Sequence, residues 1–467
     1  MRVHHYGNTA NNAFHNLLLL KKYAGVDSEL PIRTFGLDHA ISAPAWEGVE
    51  FDVPDAEWVA HPDWTPFPSA DAVNRDYADL PVPSASAETP DVDGDRGPGF
   101  VTALRSRVFG PLRGKAWAQP AVEFRDRRFL ARRPILPEPD DGVNIVYGSA
   151  PLSDMRLSRE SRRTIYFEHG TLRWMADGHP ENRAFREAYR DEVARAAHLW
   201  VTNLDPRTLE IAEDVAPGRW TALPHPYTPD PRIPFAESPR RAKMKRATSS
   251  EHLLLLPSSQ NWGVHHNKGS NKALRAFVDL RRAGVDVGLV AVAWGHQLAE
   301  SKEFLVKAGV GAHVTWILPM ARFALQRLIA DVDVVWDQFG LDAFGGLALR
   351  VVEQGTPLIS RGLTPSGEKV IGGSVPWLAA ASRDEIVRQT TAVLEDMHLR
   401  GRDLVIAETR ASYRGWLFGR HSPALTAEMQ RDLYQAIIED GPGGAAMAND
   451  EWARRVDAGD ERGSRAR

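Results

Sequence analysis

The stretch VDVVWDQFGLDAFGGLALRVVEQGTPLIS, residues 332–360, decides the fold class of this chain. An apolar, β-branched run ending at Trp336 leads into a loop carrying Gly340, Gly345 and Gly346. From Leu347 to Gln354 apolar side chains recur at helical spacing, and Gly355 closes that helix before a second apolar run from Pro357 to Ser360. A strand, a helix and a strand in so short a span predict two parallel strands joined by a crossover helix. The same alternation extends upstream. A strand near Leu253 precedes a helix from Asn271 to Ala283 closed by Gly284, and a strand from Val285 to Trp294 follows. A helix from Gln297 to Ala308, a strand from His313 to Leu318 and a helix from Arg322 to Ala330 complete it. Within it VGLVAVAW is a continuous apolar run, as expected of a strand covered on both faces. Residues 240–440 therefore read as one doubly wound domain.

The amino-terminal half opens in the same way. Residues 2–6 read as a strand, 7–12 as a turn of small residues, and 13–24 as a helix ended by Gly25. NIVYGSA (144–150), TIYFEHG (164–170) and HLWVTN (198–203) read as further strands, the last preceded by a helix over 182–197. Residues 1–223 thus form a first Rossmann-like domain, interrupted by an insertion at about 40–140. Six prolines between Pro224 and Pro239 are incompatible with a helix or a central strand and mark 224–239 as a linker. Residues 441–467 read as a mobile tail. The fold class expected is α/β, with two Rossmann-like doubly wound domains facing a cleft.

Composition narrows the function. The 467 residues are 43% hydrophobic and 25% charged, an ordinary globular balance sufficient for two or three domains at about 150 residues each. A net charge of −4 gives no global field for a nucleic acid, so no obligatory nucleic-acid partner is expected. The absence of cysteine excludes disulfides, thiolate metal sites, iron–sulfur clusters and cysteine nucleophiles. No charged segment leads into an apolar one at the start, so a cytoplasmic location is expected. Charge is uneven along the chain. Fourteen acids stand between Asp38 and Asp95 against Arg75 alone, whereas nine Arg or Lys occupy Arg105 to Arg133 and five occupy Arg240 to Arg246. These basic segments read either as solvated surface or as peripheral docking to an anionic leaflet at the inner face of the membrane.

In an open parallel sheet, ligands bind at the carboxyl ends of the strands. Lys268 and Gly269 stand immediately before a helix, where backbone N–H groups, the helix dipole and an ammonium converge on a phosphate. In the opening stretch, Gly345 and Gly346 let the backbone approach a ligand at a helix start, and Asp342 can accept hydrogen bonds from hydroxyls. The plain alternatives are an exposed lysine and a structural glycine turn. Phosphate donors beside a hydroxyl acceptor are what recognition of a nucleotide-sugar requires.

The loop Asp342, Ala343, Phe344, Gly345, followed by the helix closed by Gly355, Thr356 and Pro357, resembles the retaining glycosyltransferases of the GT-B fold, close to family four. Their loop has the form Glu-Gly-Phe-Gly with a second Glu eight residues after the first. Asp342 takes the first acidic place and Arg350 the second, where a guanidinium cannot accept from a ribose. Glu353, one helical turn on, is the carboxylate that would replace it. Asp337 and Gln338 resemble a subgroup with an Asp-Gln pair at this strand end. HHNKGSNKALRAF resembles the family's diphosphate loop, with Lys268 as its lysine, although the usual upstream arginine is not evident. FEHGTLR resembles the strand end that carries a functional histidine, here His169. Gly7 and Asn8 stand where the family has its amino-terminal glycine-rich loop.

The resemblance implies a hexosyltransferase-like enzyme moving a sugar from a nucleotide-diphosphate donor, with retention, to an acceptor it does not identify. His169 and Asp342 would be catalytic. Gly7, Asn8, Lys268, Asp337, Phe344, Gly345, Gly346 and Glu353 would bind the donor. No cofactor and no metal are expected, since cations and helix dipoles neutralise the leaving diphosphate. Asp331-Val-Asp333 resembles a metal-binding pair but reads better as a helix end and a strand start. A nucleotide-sugar epimerase on the same architecture and a non-catalytic sugar- or nucleotide-binding relative remain as alternatives.

Overall fold

The computed structural model describes residues 1–7, 12–29, 119–148, 151–153, 155–159, 161–168, 170–176, 183–227, 239–262, 268–295, 297–317, 322–342, 345–441 and 447–465. Asn8, His169 and Phe344 lie outside the described residues, as do residues 30–118 of the expected insertion and most of the proline-rich segment. The described chain divides into two compact units. The first holds residues 1–29, 119–227 and 423–455, and the second holds 239–422 and 456–465.

The first unit is built on a six-stranded sheet of β1 (Arg2–Tyr6), β2 (Asp27–Glu29), β3 (Gly142–Tyr147), β4 (Thr164–Glu168), β5 (His198–Val201) and β6 (Trp220–Ala222). All neighbours are parallel, in the order β2-β1-β3-β4-β5-β6. Side chains alternate between the faces, as the pleat requires. Val146, Tyr166 and Leu199 pack under helices Arg183–Arg195 and Pro206–Val215 through Phe185, Tyr189, Val193, Ile211 and Val215.

His5, Tyr147 and Trp200 point to the other face, where they meet a helix from the far end of the chain, Pro423–Asp440. There Asn16 and Gln430 exchange reciprocal amide hydrogen bonds of 2.8 Å each. Asn16 also donates to the Tyr147 hydroxyl (2.8 Å), and Tyr434 donates to Gln430 Oε1 (2.6 Å). Burial, with His4 and Lys21 nearby, pushes His5 down to about 3, so a neutral imidazole shares a 2.9 Å hydrogen bond with that hydroxyl. Residues 423–440 therefore belong to the first unit, not to the 240–440 domain read from the sequence. The expected tail also contains a helix, Glu451–Arg465, with Trp452 buried and Arg455 bonded to Asp432 at 2.8 Å.

The second unit carries β7 (His252–Leu256), β8 (Val287–Val292), β9 (Val314–Ile317), β10 (Val334–Trp336), β11 (Leu358–Ser360) and β12 (Leu378–Ala379), again all parallel. Their order is β12-β11-β10-β7-β8-β9, so the winding direction reverses between β7 and β10. Leu254, Leu256 and Trp336 pack under helices Ser270–Arg282 and Arg383–Arg400 through Leu274, Phe277, Ile386 and Leu394. On the opposite face, Gly288 lets helix Pro239–Thr248 approach, since a Cβ there would lie 2.3 Å from Thr248 Oγ1. Among the described residues no helix is long and apolar enough to cross a membrane.

At the amino ends of β7 and β10 the buried carboxylate of Asp333 accepts from the Leu253 backbone N–H (2.8 Å) and from Arg402 Nε (2.7 Å). It also pairs with Arg241 at 2.9 Å. Asp331 ends helix Arg322–Asp331 and pairs with Arg240 at 3.9 Å, so the acidic pair is a helix end with internal ion partners. Of the five cations in segment 240–246, Arg240, Arg241 and Lys245 therefore have acidic partners. Removing one partner of a buried ion network strands the others without counter-charge. Asp333→Ala is expected to lower unfolding free energy by about 3–5 kcal/mol in urea titrations. Lys245→Ala, which breaks only a half-exposed pair with Glu251 just past the end of the same helix, should change it by less than about 1 kcal/mol.

Candidate functional site

The reversal of strand order in the second unit lies between β7 and β10, whose carboxyl ends are where an open parallel sheet takes its ligands, and the local sequence furnishes them with polar groups. β7 runs out into Pro257, Ser258, Ser259 and Gln260, and β10 into Asp337, Gln338, Phe339 and Gly340. Ser258 Oγ donates to Asp337 Oδ1 at 3.1 Å, tying the two strand ends together. Asp337 is 3% exposed. Burial pushes its carboxyl up from the usual range, while the Lys268 ammonium and the Ser258 hydrogen bond pull it back.

Segment 337–340 is held from both sides. On one side the Lys268 carbonyl accepts from the backbone N–H groups of Phe339 (2.6 Å) and Gly340 (3.2 Å). Gly269 has a left-handed φ of 81°, and a Cβ on it would lie 2.8 Å from Gly340 N and from Phe339 C. Glycine is required there by both conformation and space. Ser270 bonds the Ser259 carbonyl, and Lys272 Nζ donates to the carbonyls of Phe339 (3.1 Å) and Ala381 (2.9 Å). Lys272 is thus a brace, and half-buried Lys268 is the cation carried on the loop.

On the other side the Gln338 carbonyl accepts from the Arg361 backbone N–H (2.9 Å) and from Ser360 Oγ (3.2 Å). Arg361 follows β11 directly and forms an ion pair with Asp342, the side chains being 31% and 27% exposed. The proposed hydroxyl acceptor therefore has a guanidinium partner that the sequence reading did not include. Arg361 could have been found by applying the strand-end rule to β11 as well as to β7 and β10. Gly345 then caps helix Gly346–Gln354 in extended backbone with no side-chain hydrogen bond; its carbonyl accepts from the Ala348 N–H (3.1 Å), and the N–H groups of Gly346 and Leu347 are those a helix start offers to an anion.

Lys268, Asp337, Asp342, Gly345 and Gly346 are thus gathered at one edge of one sheet. Glu353 is not among them. It lies seven residues along the helix from Gly346, about 10 Å at the usual rise, and its carboxylate accepts from Gln326 at 2.8 Å inside the unit. Gly7 lies in the first unit, at the carboxyl end of β1 beside β3, where that sheet also reverses its order. Its φ of 82° and a Cβ position 2.5 Å from Pro151 Cγ show a turn that requires glycine.

No protein-family model matches the chain, and no curated protein sequence matches it. Among solved structures it is similar to HepE of Anabaena in complex with UDP and glucose, at 10% identity and a TM-score of 0.49, over 92% of this chain and 98% of that one. It is also similar to WaaG, a glycosyltransferase involved in lipopolysaccharide biosynthesis, at 13% identity and a TM-score of 0.48, over 92% and 99% of the two chains. For the sucrose-phosphate synthase of Thermosynechococcus elongatus the figures are 13% identity, a TM-score of 0.42, and 68% and 78% coverage.

Proposed function

We propose that the chain is a GT-B glycosyltransferase that moves a sugar from a nucleoside-diphosphate sugar to an acceptor, with retention at the anomeric carbon. The observation that carries this reading is the set of groups beyond β7, β10 and β11: an ammonium, a guanidinium, a carboxylate and an uncapped helix start at a reversal of strand order.

In this reading the diphosphate lies against the start of helix Gly346–Gln354 with Lys268 beside it. Charge that grows on the departing diphosphate is stabilised by groups already oriented toward it, which lowers the barrier rather than merely binding substrate. Asp342 accepts from hydroxyls of the transferred sugar. His169 supports the electron-poor anomeric carbon or its neighbouring hydroxyls. Metal is not required, because fixed cations and N–H dipoles perform the neutralisation. The acceptor is a glycan, lipid, small molecule or polymer, met in the cytoplasm or at the inner face of a membrane.

The two glycines bounding helix Gly346–Gln354 support the same reading by contrast. Gly355 has a φ of 78°, and a Cβ on it would fall 2.7 Å from Arg410 Cα, so the fold requires it. Gly345 has a φ of −113° and a ψ of −176°, which any residue adopts, and among the described residues a Cβ there would meet no atom within 4 Å. The fold does not ask for glycine at 345, whereas close approach of a phosphate to the backbone does.

Gly345→Val is therefore expected to keep unfolding free energy within about 0.5 kcal/mol of the parent while abolishing stabilisation by the donor in thermal melts. Gly355→Ala should cost about 1–3 kcal/mol from strain alone. Melting curves against UDP-, GDP-, ADP-, CDP- and TDP-sugars identify the donor, and anomeric NMR of the product reads retention. Lys268→Ala should cut turnover by about a hundredfold or more with the fold intact. Full activity in both Lys268→Ala and Asp342→Ala would sink the assignment, and conversion of donor sugar without acceptor would favour an epimerase.

A further inference from the structure

The expected diphosphate loop lacks a second cation: Lys268 is present, but residues 257–262 upstream, Pro-Ser-Ser-Gln-Asn-Trp, offer no arginine. Two phosphates against one ammonium and one helix start leave charge uncompensated. The structure places a second cation on the opposite flank of the same segment. Lys268 holds Phe339 and Gly340 through its carbonyl, and Arg361 holds Gln338 through its backbone N–H. The two residues therefore bracket segment 337–340, which leads into the Gly345 helix start. Arg361 comes from β11, far along the chain from the usual diphosphate loop, so no motif reading of residues 257–272 would find it.

We propose that Arg361 is the second diphosphate cation of this chain, and that it exchanges Asp342 for a phosphate oxygen when the donor binds. The proposal rests on the donor assignment made above. With side chains 31% and 27% exposed, the Arg361–Asp342 pair is open to solvent and weak by the standard of such pairs. A guanidinium offers two parallel N–H groups to a phosphate, and that bidentate, doubly charged contact outcompetes a solvated carboxylate. The exchange also supplies the sugar site. Asp342 paired to a guanidinium through Oδ1 offers sugar hydroxyls only its remaining lone pairs, whereas Asp342 released by the diphosphate can accept with both oxygens. Arrival of the leaving group thereby prepares the group that orients the sugar, and free sugar without diphosphate meets an occupied carboxylate.

The test uses sugar-free nucleoside diphosphates, so that Asp342 is read only through its hold on Arg361. Calorimetric titration of the full chain with UDP, GDP, ADP, CDP and TDP, and with the matching monophosphates, first finds the base that binds. For that base, Arg361→Gln should weaken the diphosphate by about tenfold or more while moving the monophosphate by less than about threefold. Arg361→Lys should fall between. Asp342→Asn, which removes the competing carboxylate, should tighten the diphosphate several-fold, a gain that a merely structural ion pair would not give. Thermal melts establish that each variant is folded, and the Asp342→Asn gain carries the proposal if Arg361→Gln is not. Diphosphate affinity unchanged in Arg361→Gln, with loss in Lys268→Ala, overturns the role of Arg361 and leaves the donor assignment standing. Weaker diphosphate binding by Asp342→Asn overturns the exchange, and no binding of any diphosphate by the parent chain overturns both readings.

Discussion

The second unit depends on one buried carboxylate. Asp333 stands where β10 begins, and it receives the Leu253 backbone of β7 together with guanidinium groups from two helices, Arg241 from one and Arg402 from the other. β7 and β10 are the two strands between which the winding reverses, so they are joined by no short crossover and need another means of staying in register. Val334 pairs with Leu254 and Val335 with Leu255 because Asp333 fixes both chains one residue earlier. A buried carboxylate with a backbone donor and two arginines avoids the cost of an uncompensated charge. The opposite edge of the same two strands is then left free for loops chosen by chemistry.

At that edge the constraints invert. Segment 337–340 has little regular structure, and its backbone is satisfied by neighbours that serve as ligand groups in the proposed reaction: Lys268 on one flank and Arg361 on the other. Fixing two long cationic side chains by their own backbones costs less conformational entropy at binding than ordering free ones. Ser258 to Asp337 closes the third side. The glycines follow the same division of labour. Gly269 and Gly355 are demanded by left-handed backbone and by atoms already in place, whereas Gly345 is not.

The alternation of strands and helices from Leu253 to Ser360 was legible because each element carries its own period and its own stop, Gly284, Gly309 or Gly355 among them. Candidate ligand groups at strand ends were legible by the same logic, which is why Lys268, Asp342 and Gly345 fall on one edge. What could not be read were pairings that depend on which strands become neighbours. Arg361 meets Asp342 only because β11 lies beside β10. Glu353 has the helical spacing of a ribose acceptor, yet its face of the helix turns to Gln326, and spacing alone does not say which face packs inward. Arg241 reads as a surface cation in a basic run and is buried against an acid 92 residues away.

The first unit solves its pinning problem without charge, and this has a consequence for how it is made. Tyr147, Phe167 and Trp200 put aromatic rings on a face that helix Asn12–Leu19 reaches through Asn16 and that helix Pro423–Asp440 completes, and the latter comes after residues 239–422 of the second unit in the chain. Asn16 and Gln430, 414 residues apart, bond through both atoms of both amides, and Tyr434 and Trp200 extend the contact one turn along. Such a set is satisfied in one register only, since a shift by one turn would leave four buried polar groups without partners. The hydrogen bonds select where the helix docks, while the aromatic area supplies most of the stabilisation. Contacts of so great a sequence separation form late, because loop closure must precede any gain. The sheet of the first unit therefore completes its core only after residues 239–422 of the second unit have been synthesised.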